Sequence, residues 1–145
     1  MDNKFDVVIV GTGAAGLYAA LNFPESVNIL LVSKRELQLS NSSLAQGGVA
    51  CVLDTVHDSY KLHITDTLIA GKYKNTLSAV EKLVTEGPSD VLKIKDLGVD
   101  FDLNEDGTMC KTLEAGHSRN RIVHHKDSTG KAIVDGLIAK VTQLK

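Results

Sequence analysis

The chain has 145 residues, of which 43% are hydrophobic and 23% charged, and its net charge is -2. This composition is enough for the core of one globular domain, and it lacks the concentrated basic surface that nucleic-acid binding requires. No apolar run approaches the roughly 20 residues of a membrane span, so we expect neither a nucleic acid nor a membrane as a partner. The sequence shows no signal peptide, and its two cysteines, Cys51 and Cys110, are widely spaced, so we expect them to be reduced. These features predict a cytoplasmic protein.

The first strand and the turn after it are the most informative stretch. Residues 5–10, FDVVIV, have the β-branched composition of a parallel strand covered on both faces. The turn that follows, GTGAAG at 11–16, has GxGxxG spacing. A helix predicted over 17–23 and a second strand over 27–32 complete a βαβ unit. This context favours a dinucleotide site, with a plain strand-to-helix turn as the alternative.

Each glycine of this turn has its own expected role. Gly11 permits the tight turn, Gly13 lets the backbone approach a pyrophosphate, and Gly16 allows helix and strand to pack closely. Dinucleotide sites usually carry Asp or Glu at the end of the second strand, where it binds the ribose. Here Ser33 occupies that position, with Lys34 next. This departure argues against NAD as the ligand.

The middle of the chain predicts a turn, a short strand and three helices. Gln46-Gly47-Gly48, taken alone, reads most simply as an ordinary turn, and a short strand follows over 49–53. Asp58 is the expected N-cap of the first helix, Gly71 ends it, and Gly87-Pro88 separates the second helix from the third. The predicted helices cover 58–69, 76–86 and 89–97.

The last third predicts a short strand or extended segment over 99–103, a turn over 104–107 and a final helix over 131–144. Between them, residues 113–125 form a dense polar stretch without an amphipathic helical face. A doubly wound sheet needs more parallel strands than these. The expected fold class is therefore α/β, an incomplete Rossmann-like domain, and we expect the chain to be the N-terminal piece of a larger protein.

The polar stretch concentrates basic and titratable side chains: His117, Arg119, Arg121, His124 and His125. Their spacing is poor for a metal, because adjacent histidines on a strand face opposite ways and no carboxylate or thiolate completes a set, so no metal site is expected. The planar guanidinium suits an anion or carboxylate site. A solvated basic loop is the simpler interpretation.

Two further side chains near this stretch are candidates for chemistry. Glu114 either pairs with a neighbouring cation at the surface or points into a pocket and meets an ammonium group on a substrate, and the residues alone leave both open. Cys110 lies beside Lys111 but has no base partner, so nucleophilic catalysis is not expected.

Four segments of the sequence resemble the L-aspartate oxidases, in the same order: VVIVGTGAAGL, LVSK, NSSLAQGGVA and LEAGHSRNRIVHHKDSTG. That family belongs to the flavoprotein group of succinate dehydrogenase and fumarate reductase. The resemblance extends from residue 4 to residue 145. It implies that the chain is the N-terminal part of an FAD-binding domain, with the capping and C-terminal helical domains absent.

The resemblance implies FAD as the cofactor. Residues 12–15 would cradle the pyrophosphate, Lys34 would contact the adenosine part, and 41–48 would run along the flavin, with Gly47-Gly48 close to its ring. Asn41 stands where membrane-bound relatives carry the histidine linked to FAD, so a noncovalent flavin is expected. The full set of expected cofactor-binding residues is Gly11, Thr12, Gly13, Ala14, Ala15, Gly16, Ser33, Lys34, Asn41, Ser42, Ser43, Leu44, Ala45, Gln46, Gly47 and Gly48.

The resemblance also implies a reaction, the oxidation of L-aspartate to iminoaspartate in de novo NAD biosynthesis, with oxygen or fumarate as electron acceptor. Quinolinate synthase is the implied partner that takes the product. Glu114 stands where aspartate oxidases place the glutamate that faces the substrate's ammonium, and a buried carboxylate there would repel a plain dicarboxylate. The fragment alone is expected to be inactive. The alternatives are a soluble fumarate reductase or succinate dehydrogenase-like flavoprotein, and a non-catalytic nucleotide-binding fragment.

Overall fold

A computed structural model describes residues 4–144. These residues form two compact units. The first contains the described residues up to Gly47, Leu97–Asp100 and the chain from Asp127 onward, and the second contains Gly48–Asp96 and Phe101–Lys126. The elements in chain order are β1 (Val7–Val10), α1 (Ala14–Leu21), β2 (Ile29–Val32), β3 (Val49–Ala50), α2 (Tyr60–Ala70), α3 (Leu77–Asp96), β4 (Lys111–Thr112), β5 (Ile122–Val123) and α4 (Thr129–Val141).

The first unit is built on the predicted βαβ arrangement, which is confirmed. β1 and β2 pair in parallel, with Val7 opposite Ile29 and Val10 opposite Val32. α1 joins the two strands and packs against α4. The buried face of α1 includes Leu17.

The prediction that β1 is covered on both faces is wrong for the described chain. Val8 and Val10 are 57% and 83% exposed. Successive residues of a strand point to opposite faces, and α1 covers only one of them. The β-branched composition of β1 correctly predicted a strand. It did not correctly predict that both faces of the strand are buried.

The second unit contains a small antiparallel sheet with strand order β3-β5-β4 and the helix pair of α2 and α3. Val123 lies opposite Val49 on one side and Lys111 on the other. The central strand, β5, lies in the polar stretch, for which the sequence predicts no regular structure. A strand of two residues is too short to show a period-two pattern. Of the two alternatives for 99–103, the short strand is wrong: Leu103 forms an isolated bridge to Met109 and Asp102 N donates to His124 O at 2.9 Å, but the segment is not part of a strand.

The two helices predicted around Gly87-Pro88 are one continuous helix, α3. Its buried positions are Val80, Val84, Pro88 and Val91, so the proline lies on the packed face. Pro88 removes one backbone hydrogen bond, but Gly87 has no Cβ to clash with the proline ring. Burial of this face outweighs the lost bond.

The predicted N-cap of α2 is also wrong. Ser59, not Asp58, caps the helix, and its hydroxyl accepts a hydrogen bond from Leu62 N at 3.2 Å. The carboxylate of Asp58 is taken up by a buried arginine, as described below. Gly71 ends the helix as predicted. Within residues 4–144, no helix is long and apolar enough to cross a membrane.

We predict that Gly16→Ala destabilises the chain although alanine is the better helix former. A Cβ at this position would lie 2.0 Å from the carbonyl oxygen of Gly11. We expect the free energy of unfolding in urea to fall by about 2–3 kcal/mol. Helix propensity alone predicts a gain of roughly 0.5–1 kcal/mol.

The matched control is Ala15→Gly at the neighbouring exposed position, which changes propensity without changing a contact. It should cost only about 0.5–1 kcal/mol. A Gly16→Ala variant as stable as the unsubstituted chain would show that α1 and the end of β1 are not closely packed.

Candidate functional site

The glycine turn has the geometry that its spacing predicts. Gly11 has a φ of 111°, in the left-handed region that favours glycine, and its N–H donates to Val32 O at 2.8 Å. The absence of a Cβ at Gly16 allows α1 to lie against the end of β1. The predicted roles of Gly11 and Gly16 are confirmed.

The N-terminus of α1 offers amide groups to a ligand. Ala14 N donates to Ser42 Oγ at 3.2 Å, whereas the amides of Ala15 and Gly16 have no protein acceptor among residues 4–144. Ala15 is exposed. Unpaired amides together with the positive end of the helix dipole form an anion site, and this fits the pyrophosphate of a dinucleotide.

Gly13, expected to let the backbone approach a pyrophosphate, lies close to another part of the protein, Ser42. A Cβ on Gly13 would lie 2.9 Å from Ser42 Oγ. The segment that follows β2 therefore lies close over the start of α1, and a side chain at Gly13 would displace the Ser42 hydroxyl, which bonds to Ala14 N.

The ends of β1 and β2 bring two hydroxyl groups together. Thr12 is buried, and its Oγ1 donates to Ser33 Oγ at 3.1 Å. Lys34, next along the chain, is exposed. Ligands of parallel α/β sheets bind at the carboxyl ends of the strands, which is where these three residues lie.

The segment expected to run along the flavin is folded on itself and held by the start of α4. Ser40 and Ser43 exchange backbone-to-hydroxyl hydrogen bonds of 3.1 and 3.2 Å. Gly130 N donates to Ala45 O at 3.0 Å, and a Cβ on Gly130 would lie 2.0 Å from Ser42 O. Gly130 is not among the predicted site residues, because a glycine at the start of a helix is its only signal in the sequence. The exposed residues of the segment are Asn41, Leu44, Ala45, Gln46 and Gly47.

Gly48 has a reason for being glycine that needs no flavin. It belongs to the second unit, where a Cβ would lie 2.3 Å from Ile122 Cγ2 and 2.4 Å from Val123 O. Gly47-Gly48 was expected to lie close to the flavin ring. In the structure, the backbone of Gly48 lies close to β5 instead.

The polar stretch contains a buried ion cluster. Arg121 is 0% exposed. Its Nε and one terminal nitrogen each donate to Asp58 at 2.8 Å, and its other terminal nitrogen donates to Asp66 Oδ2 at 2.5 Å. Both interpretations of the polar stretch are therefore wrong for Arg121. Its side chain is buried and not part of a solvated loop, and its guanidinium is not open to a ligand anion because two carboxylates already bind it. Arg119, by contrast, is exposed.

The two acidic partners of Arg121 are not among the predicted site residues. Asp58 precedes the N-cap of α2 and Asp66 lies within α2, more than 50 residues before Arg121. Burial raises the pKa of both carboxyls. The hydrogen bonds from Arg121, those from Ser59 to Asp58 and from Ser118 to Asp66, and the charge of Arg121 together outweigh burial, so each pKa lies below its usual value. The same hydrogen bonds, that to Asp58 foremost, raise the pKa of Arg121.

His63 completes the buried surroundings of this cluster. Its ring lies 5.5 Å from that of His117, and its Nδ1 is buried without a hydrogen-bond partner. Burial, and then the charge of Arg121, lower the pKa of His63 to about 4. His63 is therefore neutral near pH 7.

The adjacent histidines do not face opposite ways, as a strand would require. β5 ends at Val123, and His124 and His125 both turn toward Asp102. The Nδ1 atoms lie 2.9 and 3.9 Å from its carboxylate. The backbone amide of Lys126 donates to the same carboxylate and holds the pKa of Asp102 below its usual value.

Glu114 lies in an exposed turn. Its carbonyl oxygen accepts a hydrogen bond from His117 N at 3.2 Å, and Gly116 supplies a φ of 84°. Both cysteines are free, as predicted. Burial raises the pKa of the Cys51 thiol to about 12, and this agrees with a structural role.

We predict that the free energy of unfolding falls as the pH is lowered, over a pH range set by the titration of His63. Its pKa is about 4 in the folded chain and 6.5 in the unfolded chain, so the folded state binds fewer protons. The stabilisation is complete above pH 6.5 and is lost as the pH falls from 6.5 through 4. Between pH 7 and pH 5 we expect a loss of about 2 kcal/mol in the free energy of urea unfolding.

The comparison is His63→Phe, which keeps a buried ring but cannot bind a proton. Its unfolding free energy should change much less over the same interval. Asp58 and Asp66 titrate below this window, so an equally steep loss in His63→Phe would contradict the assignment to His63.

Comparison with known proteins gives a consistent family. A family model described as FAD binding domain matches residues 6–145. The L-aspartate oxidase of Clostridium perfringens is 46% identical over 145 residues, which are 100% of this chain and 32% of that protein. The L-aspartate oxidase of Acinetobacter baylyi is 45% identical over 141 residues, 97% of this chain and 26% of that protein.

The chain thus spans about a quarter to a third of the length of these curated relatives. Among solved structures, the FrdA chain of E. coli quinol fumarate reductase matches with a TM-score of 0.91 at 28% identity, covering 97% of this chain and 24% of that chain. The family model, the curated relatives and the fold agree. The chain belongs to the FAD binding domain family, whose cofactor is FAD.

Proposed function

We propose that this chain is the N-terminal part of the FAD-binding domain of an L-aspartate oxidase that binds its flavin noncovalently. The observation that carries the proposal is the 46% identity to an L-aspartate oxidase over all 145 residues. The α/β fold and the open amides of α1 support the cofactor assignment. We place the protein in the cytoplasm, with quinolinate synthase as the partner that takes the product.

The chain's own groups would hold FAD mainly through main-chain atoms. The amides of Ala15 and Gly16 would donate to the pyrophosphate. Ser33, fixed by Thr12, and exposed Lys34 would contact the adenosine part. The folded segment 41–48 would lie along the flavin.

When bound, FAD supplies two-electron oxidation, here of L-aspartate to iminoaspartate with oxygen or fumarate as final acceptor. Glu114 would attract the substrate's ammonium and disfavour dicarboxylates that lack one. Arg121 would not hold a substrate carboxylate, because Asp58 and Asp66 occupy it. We infer that the carboxylates are held by residues outside this chain, and that the 145 residues alone are inactive.

The test is a chimera in which this chain replaces the matching segment of the Clostridium perfringens L-aspartate oxidase. We expect the purified chimera to be yellow, to release its flavin on acid precipitation, and to form hydrogen peroxide when L-aspartate is added. The 145-residue chain with added FAD should form none.

Two results would overturn the proposal. A folded chimera that binds FAD but leaves L-aspartate unchanged would show that the chain does not serve an aspartate oxidase. Peroxide from the 145 residues alone would show that the chain is sufficient by itself.

A second candidate is a soluble fumarate reductase, and the close fold match to the FrdA chain favours it. In that protein Glu114 would have no ammonium to bind. The chimera distinguishes the two by its substrate preference, L-aspartate against succinate.

We predict that Glu114→Gln separates the two activities. Removing a charged partner of the ammonium should lower kcat/KM for L-aspartate by about 10- to 100-fold. Fumarate reduction by the same variant, which involves no ammonium, should stay within about twofold of the parent.

The matched control is Glu105→Gln, another exposed glutamate in a turn of the same unit. It should change neither activity. Equal losses of aspartate oxidation and fumarate reduction in Glu114→Gln would end the assignment of Glu114 as ammonium partner.

A further inference from the structure

The turn that carries Glu114 is hydrogen-bonded to the buried ion cluster, mainly through one carboxylate oxygen of Asp66. Asp66 Oδ2 accepts hydrogen bonds from the backbone amide and the hydroxyl of Ser118, at 2.9 and 2.8 Å. The same oxygen accepts from Arg121 at 2.5 Å. The Asp66 side chain is only 12% exposed, whereas Ser118 lies at the exposed side of the cluster.

The turn itself is short and closed. His117 N donates to Glu114 O, and Gly116 supplies the left-handed conformation. A Cβ built on Gly116 would lie 3.8 Å from the side chain of Ala70, at the end of α2. On the other side of Glu114 the chain is held by β4, which pairs with β5. Both ends of the turn are therefore fixed, one by strand pairing and one by Asp66.

The two carboxylates of the cluster have different tasks. Asp58 uses both oxygens on Arg121 and accepts nothing from the turn. Asp66 shares one oxygen between the guanidinium and Ser118. A second link to the turn runs through His117, whose Nδ1 lies 3.1 Å from a terminal nitrogen of Arg121. The guanidinium is thus anchored by Asp58 and connected to the turn by Asp66.

We propose that Asp66 is a positioning residue for Glu114. Through Ser118 and Arg121 it holds the turn in one conformation and so presents the Glu114 carboxylate to the ammonium of the substrate in a defined place. This rests on the proposed function of Glu114. A preorganised carboxylate binds its partner without first losing conformational freedom, so loosening the turn weakens substrate binding while the chemistry that FAD supplies is unchanged.

The first experiment needs no catalysis. Amide hydrogen exchange is followed by NMR in the 145-residue chain and in Asp66→Asn, with the His117 amide as reporter because it closes the turn on Glu114. We expect its exchange to quicken by about tenfold or more in Asp66→Asn, beyond any change at β3–β5. Ser118→Ala, a milder change that removes only the hydroxyl bond, should give a smaller increase of the same kind.

The matched control is Asp102→Asn. Asp102 also accepts a backbone and a side-chain hydrogen bond in the second unit, but from His124 and Lys126 and not from the turn. It should leave His117 exchange unchanged relative to β3–β5. If Asp66→Asn and Asp102→Asn have the same effect at His117, or if neither affects it, the proposal is wrong.

The second experiment uses the chimera. Asp66→Asn should raise KM for L-aspartate by about tenfold with kcat changed less than about twofold, and leave KM for fumarate unchanged. Loss of kcat for both substrates would indicate a general structural role and overturn the proposal. A parent chimera that does not oxidise L-aspartate would refute the proposed function instead, while the exchange experiment would still decide whether Asp66 orders the turn.

Discussion

A buried guanidinium is the constraint around which the second unit is arranged. Arg121 is fully buried, and a charge in such surroundings is tolerated only when opposite charges and hydrogen bonds compensate for lost water. Asp58, just before the N-cap of α2, and Asp66, in the middle of α2, supply that compensation. As a result α2, the turn that carries Glu114 and β5, which begins next to Arg121, all meet at one side chain.

The first unit depends on a different constraint, the close approach of backbone to backbone. Gly16 lies against the carbonyl of Gly11, and Gly130 lies against the carbonyl of Ser42. These approaches leave the first amides of α1 open at the ends of the parallel strands. The glycines that pack the unit therefore also shape the proposed anion site, so we expect substitutions there to affect both stability and cofactor binding.

The two units contribute in physically different ways. The proposed cofactor site of the first unit consists largely of main-chain atoms, which tolerate many side-chain changes as long as the glycines remain. The candidate substrate group of the second unit is one carboxylate on a turn, and side-chain hydrogen bonds hold that turn. Members of a fold family that share a cofactor and differ in substrate can change such a turn while keeping the cofactor site.

The sequence by itself determined the βαβ unit and the roles of Gly11 and Gly16, because backbone sterics and short-range periodicity act between residues close in the chain. Only the tertiary structure decided that Pro88 lies inside a helix, since packing of its buried face outweighs the local signal to stop. Only the tertiary structure decided that Arg121 is buried and paired, because its ion pair with Asp58 joins residues 63 positions apart. Burial and the choice of a charge's partner depend on what the whole fold brings together, and no local pattern carries that information.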